Sequence, residues 1–274
     1  MPSGPVRAAI RRASRMRRFA GLAIVAAVLV LGGCYDAGAQ DDAFEEAMVK
    51  KVRRIPVYPA DRICSRLTSL FSSWTDVDGS KRSEPHSGVD GGRLGDAILA
   101  PAPGVVLAVW RANWGWGPEG ALLIGHSRDD IGLRDGPSQY FSEFDHLRYD
   151  EIRSIPVGQR VQRGERLATV FLPGGNRKYL PEVHWEVWAI DDDKAMRWRV
   201  NRFGGRYWRN STGQLVDPLF MLSLNAPAGK DGKVEIPPFD PKRDYRGFRG
   251  FTYILPCAER KEGTDRTRRR SSRR

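Results

Sequence analysis

Between about residue 80 and residue 222 the chain is written in short β-type runs, "GVVLAVW", "ALLIGHS", "RLATVFL" and "VHWEVWAI", set among Gly and Pro. Runs of this length and composition are strands, and no amphipathic stretch of helix length interrupts them. They restrict this region to an all-β, mostly antiparallel sandwich or barrel-like core. The last run carries a second constraint. With the period of two that a pleated strand imposes, Glu182, His184 and Glu186 share one side, and Val183, Trp185 and Val187 share the other. The apolar side reads as core. Two carboxylates and an imidazole on the opposite side are either solvated or the floor of a site, and alternation alone leaves both open.

The ends differ in texture from the core. Residues 1–33 carry six arginines and no acid ahead of the apolar run "LAIVAAVLVLGG". That is a basic segment followed by a hydrophobic one about a dozen residues long, short for a membrane span and typical of an export signal. It ends in "LGGC", which resembles the bacterial lipobox, with Cys34 as the lipidated first residue of the mature chain. The expectation is an exported protein anchored to the membrane through Cys34. Tyr35, rather than Asp, follows that cysteine, which leans toward the outer membrane. Residues 34–79 read as a tether and N-terminal arm, with a short helical pattern in "FEEAMVKKVRR" that Pro56 and Pro59 end. Residues 80–222 form the β domain, 223–258 a Pro- and Gly-rich C-terminal arm, and 259–274 a basic tail predicted to be disordered.

Charge and cysteines agree with export. The formal net charge is +12; with the six signal arginines and a tail surplus of five set aside, about +1 remains for everything between. A nearly neutral folded part in an exported protein argues against nucleic-acid binding. The basic tail suits anionic lipid headgroups or wall polymers instead. With Cys34 lipidated, Cys64 and Cys257 remain as a candidate disulfide across the domain, or as two separate thiols.

The chain has four histidines, His86, His126, His146 and His184, all inside the β-rich region. His86 and Asp90 stand four apart in "HSGVD". Joined to His184 they make a His, Asp, His set with room for a fourth partner, a common catalytic zinc arrangement. Imidazole and carboxylate together suit Zn²⁺ better than Mg²⁺ or Ca²⁺, which favour oxygen shells. In order along the chain, "HSGVDGGRLGDAILAPAPGVVLAVW", "LLIGHS", "FDHL", "VGQRVQRGERLATV", "EVHWEV" and "VDPLFML" resemble the lysostaphin-type (LytM-domain) zinc endopeptidases, over roughly residues 80–222. That resemblance implies a duplicated β hybrid motif, a Zn²⁺ cofactor, and hydrolysis of peptide bonds in bacterial peptidoglycan. It implies His86, Asp90 and His184 as metal ligands and His146 as a catalytic residue beside the metal. His126 falls where the family often has a strand histidine, and a packed, hydrogen-bonded role suits it. Glu186 matches a glutamate that supports a ligand, or is a solvated strand residue.

Three departures accompany the resemblance. The first histidine of the family's His-x-His strand is Glu182 here, the tyrosine two before the catalytic histidine is Phe144, and the small-residue approach to the last strand is "PGGNRKYLP". Glu182 should sit beside the metal, where it has three uses. It can serve as the general base toward attacking water, it can ligate and close the site, or it can turn away to a cation. An ionised Glu182 would repel a developing oxyanion, leaving that charge to His146. The alternative function is therefore an inactive peptidase-like domain that binds the cell wall or regulates another wall hydrolase. Of the tryptophans, most read as core or rim, and "NWGWG" as a loop able to border a glycan groove.

Overall fold

A computed structural model of the chain describes residues 53–172 and 180–260. The lipobox, most of the tether, most of "PGGNRKYLP" and nearly all of the basic tail lie outside the described residues. The described residues belong to one unit, Ala37–Arg274. Its main sheet runs, in spatial order, β3 (Leu67–Ser69), β4 (Val89–Gly91), β11 (Val183–Ile190), β8 (Gln139–Leu147), β7 (Glu119–Ser127), β6 (Gly104–Ala112) and β9 (Arg160–Val161). Strand β14 (Gln214–Val216) also pairs with β11, and all of these pairings are antiparallel. A ribbon of β5 (Ala97–Leu99) with β10 (Arg166–Thr169) and a hairpin of β12 (Met196–Val200) with β13 (Arg206–Asn210) complete the β structure of the domain. Among the described residues, helices are confined to single turns such as Tyr149–Ile152 and Pro218–Leu222. The chain is all-β and mostly antiparallel, as the run pattern predicts.

Strand β11 lies inside the sheet and is buried along its whole length. Val183, Trp185, Val187 and Ala189 face the larger core, with Val106, Leu122, Ile124 and Phe144. On the other face, Trp188 and Ile190 join Trp110, Leu123, Phe141 and Trp208 in a smaller cluster under the β12–β13 hairpin. A bulge in β6 between Val106 and Ala108 shifts the alternation, so Val106 serves one core and Trp110 the other. The His184 side of the strand is therefore covered, not solvated.

The arms close the domain through strand pairing. β1 (Ile55–Val57) runs parallel to β15 (Lys233–Glu235), and β2 (Arg62–Cys64) runs antiparallel to β16 (Cys257–Glu259). Cys64 stands opposite Cys257, and the two are joined by a disulfide across 193 residues. The main sheet takes its edge strand β3 from before residue 80, so the N-terminal arm is part of the sheet. "VDPLFML" is an N-capped helical turn: Asp217 accepts from the Leu219 N–H at 2.9 Å and Pro218 occupies the first turn. Arg54 of the N-terminal arm donates to the same aspartate at 3.2 Å.

Candidate metal centre

Strand pairing assembles the site. β4 places Asp90 directly across from His184 on β11. His86 lies in the loop just before β4, and Gly88 explains how that loop reaches over the strand. A Cβ at Gly88 would stand 2.3 Å from the Trp185 carbonyl oxygen, so only glycine permits this approach. Gly88→Ala should therefore cost about 1–3 kcal/mol and weaken metal binding together. A denaturant midpoint and a metal titration read the two effects, and unchanged values for both would contradict the close approach.

His86, Asp90 and His184 are all buried, and one ligand atom from each lies within 4.8 Å of the others. His86 Nε2 is 3.1 Å from Asp90 Oδ1 and 3.1 Å from His184 Nδ1, and His184 Nδ1 is 2.7 Å from Asp90 Oδ1. The outward nitrogens are committed elsewhere. His86 Nδ1 lies 3.1 Å from the Leu70 carbonyl oxygen and 3.1 Å from Ser69 Oγ. A carbonyl only accepts, so Nδ1 carries the proton and Nε2 presents a lone pair inward. His184 Nε2 lies 3.1 Å from Glu186 Oε1. Glu186 also receives the Ser87 hydroxyl and, at 3.0 Å, the Trp188 indole N–H. Burial works to raise the pKa of Glu186, but the bond and charge of His184, with the Ser87 hydroxyl and the Arg209 charge, prevail and bring it down to about 2. Glu186 is thus a carboxylate that requires the proton on Nε2 of His184 and leaves Nδ1 facing inward.

Two imidazole lone pairs and a carboxylate oxygen therefore converge on one point. They repel one another unless something positive sits between them. A proton satisfies one pair of the three, and a divalent cation satisfies all of them. The donor set thus fits a metal ion, and its two nitrogens and one oxygen match zinc. Arg82 braces Asp90 from outside, 3.4 Å from Oδ2, while also contacting Asp76 and Ser69. Burial alone would raise the pKa of Asp90, but the His184 and His86 contacts outweigh it and hold the carboxyl well below its ordinary range.

Beside and below this centre lie carboxylates that the motifs do not reveal. The β8–β11 register sets Asp145 opposite His184 and Glu143 opposite Glu186. Both are buried. Burial, with Glu186 close by, raises Asp145 to about 6 even though His184 and His146 pull the other way. Burial and the charges of Asp145 and Glu186 push Glu143 well above its usual range. Alternation within "YFSEFDHL" shows Glu143 and Asp145 sharing a side, but only the register brings that side against His184.

His146 reaches the site by a departure from alternation. It follows Phe144 by two and should face the larger core with it. A register shift between β7 and β8 falls at this point, and His146 adopts φ 59°, in the left-handed region. Its ring lies 6.1 Å from the His184 ring and 4.4 Å from that of Trp116. Its Nδ1 is 2.5 Å from Oε2 of the buried Glu119. Burial opposes protonation of His146, but that bond and the Glu119 charge raise its pKa above the ordinary value. Glu182 sits in a bridge opposite Phe171, two residues before His184. Burial and the Asp90 charge raise its pKa to about 7, against His146 and His184. A cation held at the centre would draw it back down.

The remaining residues singled out in the sequence also find places. His126 is buried outside the His86–Asp90–His184 cluster, between the Pro103 carbonyl at 2.7 Å and Ser142 Oγ at 3.0 Å, with its ring against Phe251. Burial lowers its pKa to about 4, as suits a neutral packed histidine. Trp110, Trp185 and Trp188 are core. In "NWGWG", Trp114 donates to Asp145 Oδ1 at 3.1 Å and Trp116 covers His146, so this loop walls the centre.

No protein-family profile and no curated protein matches the chain. Several solved structures are similar to it. One is of LytU, with TM-score 0.34 and 24% identity, covering 45% of this chain and 72% of that one. Another is a zinc-containing peptidase from Vibrio cholerae, with TM-score 0.32 and 25% identity, covering 49% of this chain and 36% of that one. A third is the catalytic domain of lysostaphin from Staphylococcus simulans, with TM-score 0.31 and 18% identity, covering 58% and 90%. The match thus spans little more than a third of the Vibrio cholerae peptidase.

Proposed function

We propose that this chain is an exported zinc endopeptidase that hydrolyses peptide bonds in bacterial peptidoglycan, held to the envelope through a lipid on Cys34. The observation that supports it most is the convergence of His86 Nε2, Asp90 Oδ1 and His184 Nδ1, with the opposite nitrogens of both histidines tied off. Such a trio leaves a fourth position for water or substrate, as catalytic rather than structural zinc sites do. Zinc bound there supplies a Lewis acid that polarises a carbonyl and makes water acidic enough to attack at neutral pH.

The surrounding residues divide the rest of the work. Glu186 and the Leu70 carbonyl hold the two imidazoles in the ligating tautomers. Glu182, ionised, accepts the proton of the attacking water, a role typically contributing about 10²–10⁴-fold. His146 takes up on Nε2 the proton that Glu182 has accepted and, so charged, stabilises the developing negative charge or hands that proton to the departing amine. Trp114 and Trp116 keep bulk water from that side.

Glu182 also favours a second reading. A carboxylate in place of the family's histidine can fill the open position or repel an oxyanion, which would leave a domain that binds the wall or regulates another hydrolase. One experiment separates them. The zinc-loaded protein, freed of its signal segment, is incubated with purified peptidoglycan, and released muropeptides are identified by mass spectrometry. New products that disappear in Glu182→Ala and His184→Ala are expected from the enzyme. Folded, zinc-loaded protein that releases nothing from several wall types would support the scaffold instead.

A further inference from the structure

Glu119 is used neither by the motif resemblance nor by the reaction outlined above. It opens β7 directly after the tryptophan loop, and its side chain is completely shielded from solvent. Oε2 contacts His146 Nδ1 at 2.5 Å, while Oε1 is buried without a hydrogen-bond partner among the described residues. Burying a carboxylate with half its acceptor capacity unmet is costly, and an apolar side chain would fill the space without that cost. Most other buried positions of this strand are apolar: Ala121, Leu122, Leu123 and Ile124. The cost is offset only by what Glu119 does to His146.

A carboxylate accepts and does not donate. Glu119 therefore requires a proton on Nδ1 of His146 and leaves Nε2 as the nitrogen with no partner among the described residues. Two further features hold the same ring: the left-handed backbone at His146 and the Trp116 face 4.4 Å away. A carboxylate behind an imidazole is a general device for selecting one tautomer and steadying the ring when it takes a proton. It matters more here because Glu182 occupies the place of the other histidine, so a single imidazole must be presented in the right state. We propose that Glu119 is the positioning residue of His146, selecting its Nδ1–H form and presenting Nε2 to the reacting side of the centre. The inference rests on the hydrolase reading for its consequence in turnover, but its physical content can be measured without turnover.

Glu119→Gln keeps the size of the side chain while removing the selection, because an amide either accepts from Nδ1–H or donates to bare Nδ1. In nitrogen–proton correlation spectra of the zinc-loaded protein, recorded at a pH high enough to keep the imidazole neutral, His146 should show Nδ1–H alone in the wild type and both tautomers in the variant. Turnover on peptidoglycan should fall about 10–100-fold with KM, zinc affinity and melting temperature unchanged, and Glu119→Asp should restore part of it. Nδ1–H as the sole tautomer in Glu119→Gln, or a loss of turnover that tracks a loss of zinc or of folding, would overturn the proposal. A wild type that shows the Nδ1–H selection but releases no muropeptides would refute the hydrolase reading and leave the positioning intact.

Discussion

In His184→Ala, zinc affinity should fall by well over 100-fold and muropeptide release should drop below detection. Even a residue that merely orients a ligand typically contributes 10–100-fold to metal affinity, by rough measure, and this change removes a ligand outright. It also strips Glu186 and Asp90 of a partner they share. The effect on folding can be separated from the effect on metal. Zinc at about 1,000 times its dissociation constant should stabilise the wild type by about 4 kcal/mol against unfolding, whereas the variant should show almost no zinc-dependent shift. His86→Ala, which leaves the His184–Glu186 contact in place, should behave alike in the zinc titration. Chelation of the wild type should abolish release and added zinc restore it. Zinc retained stoichiometrically by His184→Ala at micromolar concentration would remove His184 from the ligand set.

The second large effect concerns the staple between the arms. Cys64 and Cys257 close a loop of 193 residues. In the chain-entropy picture, opening a loop of that length costs about 5 kcal/mol of stability. The doubly substituted Cys64→Ser, Cys257→Ser protein should therefore unfold at a markedly lower urea concentration than the oxidised wild type, and wild type with its disulfide reduced should match it. The loss should reach the metal centre too. β2 leads within three residues into β3, and the Ser69 hydroxyl and Leu70 carbonyl that follow hold His86. A chain freed at Cys64 loosens that support, so zinc should bind more weakly even where the variant remains folded. An unchanged urea midpoint would mean that the pairing of β2 with β16 suffices without the bond.

How much of this was legible in advance differs by element. The β runs and their Gly and Pro boundaries announced an antiparallel all-β core, because strand length, β-branched content and turn residues are local properties. The edge strand β3 did not stand out. Its three residues are too short for any periodicity, and it exists because β4 offers it a free edge. The cluster of His86, Asp90 and His184 that could hold a metal ion was readable because "HSGVD" and "EVHWEV" hold these residues at spacings the chain itself determines. Glu119, Glu143 and Asp145 were not, since a glutamate at the start of a strand looks the same whether it meets water or an imidazole.

Strand "VHWEVWAI" marks the division most sharply. Its sequence by itself determined that His184 and Glu186 share a side and that Trp185 and Val187 share the other, because the pleat has a period of two whatever surrounds it. Tertiary structure alone decided that the polar side is buried, that Asp90 stands across from His184 and that Glu186 chooses the histidine's tautomer. It also decided that His146, which alternation assigns to the core, turns out through a left-handed residue to meet Glu119. The physical reason is that local sequence sets the direction of a side chain relative to its own backbone. What it points at, and therefore its charge, its proton and its chemistry, is set by strands distant in the chain.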